Sequence, residues 1–135
     1  MSKVYISKEV KFCAAHRLHN SALSVEENKA LYGKCNNHHG HNYTLAVTFA
    51  GKVDPITGML INFDEIEKLL QQHIMAKFDH KDIDQDIPEF KKRPSTAENI
   101  AITCWQILVQ IEAFSSLYKV AVKELDDCIV EYYGD

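Results

Sequence analysis

The stretch Cys35-Asn36-Asn37-His38-His39-Gly40-His41-Asn42-Tyr43-Thr44-Leu45-Ala46-Val47-Thr48-Phe49 joins a group of metal-ligand side chains to a strand in one run. Tyr43, Leu45, Val47 and Phe49 recur at every second position, so they share one face of a strand expected from about Asn42 to Lys52. His39 and His41 keep the same parity, and two imidazoles at i and i+2 of an extended chain can converge on one ion. His38 has the opposite parity and is expected to point away.

An earlier strand, over residues 4 to 15, places Val4, Ile6, Val10, Phe12 and Ala14 on one face, and His16 continues that row. If the two strands pair, His16, His39 and His41 form a three-imidazole shell of the kind that holds catalytic zinc with one position open. Cys35 then has three readings: a fourth ligand closing a structural site, a nucleophile or base activated by the nearby charge, or an inert thiol. Spacing does not choose among them. The bland alternative for any one histidine is an ordinary hydrogen-bonded side chain.

Elsewhere the pattern gives helices and two more strands. Ser24-Val25-Glu26-Glu27 is a capping box that opens a short helix toward Tyr32, with Gly33 ending it. Asp54-Pro55-Ile56-Thr57-Gly58 is a turn. Asn62-Phe63-Asp64-Glu65 opens a helix with Phe63, Ile66, Leu70 and Ile74 on one stripe, and Ser95-Thr96-Ala97-Glu98 opens another with Ile100, Cys104, Ile107, Leu108 and Ile111 facing inward. Strands near 117 to 124 and 128 to 133 meet at Asp126-Asp127. The order predicts one α+β domain over residues 1–135, with a four-stranded antiparallel sheet and two helices on one face. Such a sheet leaves edges and a bare face that a homo-oligomer would cover. Glu124 continues the apolar parity of Tyr118, Val120 and Val122, so its carboxylate needs a partner, either a ligand with N–H donors or solvent. Asp79-His80 alone reads as a polar loop, and Glu98 as part of a helix cap.

Bulk properties narrow the classes. Of 135 residues, 15 are Lys or Arg and 19 are Asp or Glu, for a net charge of −4, with no basic run that suggests nucleic acid. No apolar stretch approaches the roughly 20 residues of a membrane span. The N-terminus lacks an apolar signal-peptide core, so a cytoplasmic location is expected. The four cysteines are expected as free thiols in a reducing compartment, with Cys104 packed in a helix.

The segments Phe12-Cys13-Ala14-Ala15-His16-Arg17-Leu18-His19, Gly33-Lys34-Cys35-Asn36-Asn37, His39-Gly40-His41-Asn42-Tyr43, Asp54-Pro55-Ile56-Thr57-Gly58-Met59, Asp79-His80-Lys81, Pro94-Ser95-Thr96-Ala97-Glu98-Asn99 and Lys123-Glu124 resemble, in order and over nearly the whole chain, the 6-pyruvoyltetrahydropterin synthase / 6-carboxytetrahydropterin synthase family. The resemblance implies a tunnelling fold, with two trimers stacked into a homohexamer around an oligomeric β-barrel and active sites between subunits. It implies Zn²⁺ on His16, His39 and His41, and 7,8-dihydroneopterin triphosphate as substrate. It gives Cys35 the role of general base and Asp79 and His80 that of a relay, His80 coming from a neighbouring subunit. Glu124 would anchor the pterin ring, assisted by the Thr96/Glu98 turn.

Within that family the Cys-x-x-x-His-Gly-His spacing is similar to bacterial 6-carboxytetrahydropterin synthases, whereas the segment from His19 to Asn37 is more like the 6-pyruvoyl branch. Ala97 stands where animal enzymes tend to carry a hydroxyl. No Glu lies between Cys35 and His39, which argues against a third variant that uses one to make a folate precursor. Weighting the spacing, the expected product is 6-carboxy-5,6,7,8-tetrahydropterin, on the queuosine route. The alternative is 6-pyruvoyltetrahydropterin. An alternative of another class is a non-catalytic pterin-binding protein with structural zinc.

Overall fold

The computed structural model describes residues 2–135. Its organising unit is the pairing of β1 (Lys3–His16) with β2 (His39–Lys52), antiparallel and in unbroken register from Lys3↔Lys52 to His16↔His39. Residues directly opposite one another share a face, so the inward row of β1 (Val10, Phe12, Ala14, His16) meets that of β2 (Leu45, Tyr43, His41, His39). Except for His39 and His41, which are partly exposed, these side chains are buried.

The connection between the two strands carries α1 (Val25–Tyr32). The Ser24 hydroxyl accepts from the Glu27 N–H while the Glu27 carboxylate accepts from the Ser24 N–H, both at 3.0 Å, which satisfies two otherwise orphaned donors. Gly33, at φ 56°, ends the helix in a conformation that a side chain would strain. A tight 3₁₀ turn, Gly33–Asn36, follows and carries Cys35.

After the Asp54 turn, α2 (Phe63–Leu70) runs through a wide π turn, Gln71–Met75, into α3 (Ala76–Phe78). The buried stripe is Ile66, Leu70, Ile74 and Phe78, each fully enclosed. Steps of four residues drift by roughly 40° on an α-helix, and the wider π turn takes up that drift. Phe63, expected on this stripe, is 50% exposed, because it sits at the first helical position with its side chain outside the core. Leu70→Ala is expected to lower stability by about 2–5 kcal/mol, read as a fall in urea midpoint at unchanged slope. A change below about 1 kcal/mol would show that the helix–sheet contact is loose.

The sheet has five strands, not the expected four, in the order β3 (Lys81–Asp82), β1, β2, β4 (Leu117–Leu125), β5 (Cys128–Tyr132). The additional strand, β3, pairs in parallel with Ala14 and Ala15 at the outer edge of β1 and leads into the short α4 (Ile83–Asp86). Helix α5 (Ala97–Leu108) packs on β4 and β5. Its cap is Thr96, whose hydroxyl accepts from the Asn99 N–H; it is not the Ser95/Glu98 box that the sequence suggests. Ser95 is buried in another role, described below, so the next hydroxyl takes the cap. Cys104 is enclosed in the core, and burial pushes its thiol pKa up to about 12. Within the chain the sheet is open, not a closed barrel. Its outer face exposes Tyr5, Tyr118 and Tyr133 in edge-to-face contact, with ring centroids 5.1 and 5.4 Å apart. Among the described residues, no helix is long and apolar enough to cross a membrane.

Candidate functional site

At one end of the β1–β2 ladder the rings of His16, His39 and His41 stand edge to face, with centroids 4.6 to 5.1 Å apart. One ring nitrogen from each lies within 4.8 Å of the other two. Gly40 lets the two histidine strands close up: a Cβ there would sit 3.2 Å from the Ala14 carbonyl oxygen. His38 points away, as its parity requires, with Nε2 2.6 Å from Asp82 Oδ2.

Hydrogen bonds choose the tautomers. His16 Nδ1 lies 2.8 Å from the Ser95 carbonyl oxygen and His39 Nδ1 lies 2.6 Å from that of Asn37. A carbonyl only accepts, so both Nδ1 atoms carry the proton and both Nε2 atoms are unprotonated, each with a lone pair to offer. His41 Nε2 is buried without any hydrogen-bond partner. A buried orphan nitrogen beside two oriented lone pairs is costly for an empty polar cavity and is what a metal ion would satisfy. Burial lowers the pKa of His16, with the charges of His39 and His41 adding to the effect, while the Ser95 bond and Glu124 oppose it. Burial likewise lowers that of His41. Both imidazoles are therefore kept in the neutral, ligating form. The donor set fits a cation that accepts three imidazoles.

Two further groups face the histidines. Glu124, from the inward row of β4, places Oε1 3.7 Å from both His16 Nε2 and His41 Nε2. The Tyr43 hydroxyl lies beneath, 3.2 Å from His16 Nε2, and burial, with the Glu124 charge adding, raises its pKa so that it stays protonated. No pattern in the sequence marks the Ser95 carbonyl as a support of His16. Tyr43 was identifiable as a neighbour only through its parity with His39 and His41.

Cys35 is half-buried and does not join the set of mutually close ligand atoms among the described residues. Its turn is clamped to the end of β1: the Leu18 N–H donates to the Cys35 carbonyl at 2.8 Å, and the Asn36 amide donates to the Leu18 carbonyl at 2.9 Å. Asp79 and His80 form a pair at the outer edge of β1. Asp79 Oδ1 accepts from the Cys13 N–H at 2.9 Å, and this bond, the largest influence, holds its carboxyl pKa down. His80 Nδ1 lies 3.0 Å from Asp79 Oδ2. His80 takes φ 61° and its side chain is 81% exposed, turned out from its own chain. Thr96 is engaged as the α5 cap, and Glu98 is exposed in the first turn of that helix, free of capping.

Known proteins resemble this chain over most of its length. The family described as 6-pyruvoyl tetrahydropterin synthase matches residues 5–135. The human 6-pyruvoyl tetrahydrobiopterin synthase is 45% identical over 132 residues, which is 96% of this chain and 91% of that protein. A solved structure of the Caenorhabditis elegans 6-pyruvoyl tetrahydropterin synthase superposes with a TM-score of 0.95 at 39% identity, covering 100% of this chain and 98% of that one. The 6-carboxy-5,6,7,8-tetrahydropterin synthase of Rickettsia typhi is 36% identical over 84 residues, only 51% of this chain and 61% of that protein. The weighting of the Cys35–His39 spacing toward a 6-carboxy product is therefore not supported, and the 6-pyruvoyl alternative fits the whole chain better. By profile, by identity over its length and by fold, this chain belongs to the 6-pyruvoyl tetrahydropterin synthase family.

Proposed function

We propose that the protein is a zinc-dependent lyase that converts 7,8-dihydroneopterin triphosphate to 6-pyruvoyltetrahydropterin with loss of triphosphate. The observation that carries this reading is the 45% identity, over 96% of the chain, to a relative named 6-pyruvoyl tetrahydrobiopterin synthase, against 36% and 31% identity over 51% and 70% of the chain for two 6-carboxy relatives. His16, His39 and His41 would hold the metal. Bound there, zinc supplies Lewis-acid polarisation of the substrate's side-chain oxygens.

The chain's own groups do the rest. Cys35, held beside the end of β1 by the Leu18 clamp, takes a proton from the substrate side chain as general base. Asp79 fixes the His80 ring by accepting its Nδ1–H, which leaves Nε2 directed outward for proton transfer in a site shared with another copy. Glu124 accepts from the N–H edge of the pterin and fixes the ring, with Thr96 and Glu98 at the nearby helix start. The exposed tyrosines on the outer sheet face support assembly of copies into a barrelled homohexamer.

Incubation with 7,8-dihydroneopterin triphosphate and mass spectrometry of the products tests the assignment. The expected products are 6-pyruvoyltetrahydropterin and triphosphate. Release of acetaldehyde with 6-carboxytetrahydropterin would restore the other reading.

A further inference from the structure

A cleft of about 300 Å³ lies just past the end of β1, lined by Arg17, Lys91, Lys92 and Arg93 together with His19 and Asp84. Two of its lining residues adjoin the histidine site along the chain. Arg17 directly follows His16, and Pro94, also in the lining, directly precedes Ser95, whose carbonyl orients the His16 ring. Three half-buried lysines elsewhere, Lys8, Lys77 and Lys119, pair with Glu67, Glu89 and Glu131. Among the described residues, none of the four cations in the cleft has a carboxylate within 4.0 Å.

Three of the four cations are nevertheless positioned by neutral groups. Lys91 Nζ donates to the Gln85 carbonyl at 2.6 Å, Arg17 Nη2 donates to His19 Nδ1 at 2.8 Å, and Arg93 donates to the Thr103 hydroxyl. The one acid of the wall, Asp84, already accepts from the Arg17 backbone N–H at 2.9 Å. Nε of Arg17 and Nε of Arg93 are buried without an acceptor. A chain with net charge −4 thus gathers four cations and a single carboxylate, Asp84, around one concavity. Such a concavity suits a polyanion with several oxygens, for which guanidinium and ammonium donors give charge-assisted bonds.

We propose that this cleft binds the triphosphate chain of the substrate, an inference that rests on the pterin triphosphate reading above. As the substrate's C–O bond breaks, its electron pair leaves on the triphosphate oxygen, and the proton lost from the adjacent carbon goes to the base. The charge that develops on the leaving group then meets fixed cations.

The test uses the full-length, zinc-loaded protein and inorganic tripolyphosphate, titrated calorimetrically. Wild type is expected to bind, more weakly as salt rises. Lys92→Ala, and Lys91→Ala with Lys92→Ala, are expected to bind at least roughly tenfold more weakly. Zinc content and affinity for phosphate-free 7,8-dihydroneopterin should be unchanged, and KM for the triphosphate substrate should rise in parallel. Absence of tripolyphosphate binding to wild type, or equal binding by the variants, overturns the proposal. Loss of tripolyphosphate binding with KM unchanged also overturns it and marks a site for free polyphosphate instead. If wild type fails to turn the substrate over, the functional reading falls, while the titration still decides whether the cleft takes a polyphosphate.

Discussion

His16→Ala is expected to lose the metal. The residue supplies one of three mutually close ring nitrogens, and nothing else in that set can replace it. Replacement of a mere support of a ligand costs roughly 10–100-fold in affinity, so removal of a ligand itself should exceed about 100-fold. Elemental analysis after dialysis should show little zinc, and turnover should fall with it. His39→Ala should behave alike. His38→Ala is the internal control, because its ring turns to Asp82 instead, and its zinc content should match wild type. Full occupancy in His16→Ala would refute the three-histidine centre.

Cys35→Ala should separate catalysis from metal binding. As a general base the thiol is expected to contribute about 10²–10⁴-fold in rate, while zinc stays bound because Cys35 stands outside the ligand set. Rapid-quench turnover on protein of measured zinc content checks both. Alkylation of the holo protein is the chemical counterpart: the thiol should react without release of zinc. Loss of zinc from Cys35→Ala would make the thiol a fourth ligand and the site a closed, structural one.

The histidine centre was readable from the sequence because strand parity is a local rule. Val10 to His16 and His39 to Phe49 each keep the period of two, and pairing them in register brings the three rings together. Glu124 was visible by the same rule on β4. What escaped depends on packing. Ser95 and Thr96 are equally good caps by composition, and only the burial of Ser95 against His16 gives the role to Thr96. Strand β3 is two residues long and pairs in parallel with a distant segment, so it has no periodicity to read. The π turn at Gln71–Met75 answers a packing demand that an ideal helical wheel does not contain. The gap between Cys35 and His39 is a weak guide to which relatives the chain most resembles, because it lies ahead of β2, where length can change without moving the paired strands.

The unbroken ladder from Lys3↔Lys52 to His16↔His39 ties metal capture to the folding of the hairpin. A slip of one residue would turn the His39/His41 pair to the opposite face from His16. Any affinity for the ion is therefore spent on a single alignment of the two strands and on none of its neighbours. In this protein the cation that serves the reaction would also act as a proofreader of strand alignment, rewarding only chains that have zipped correctly.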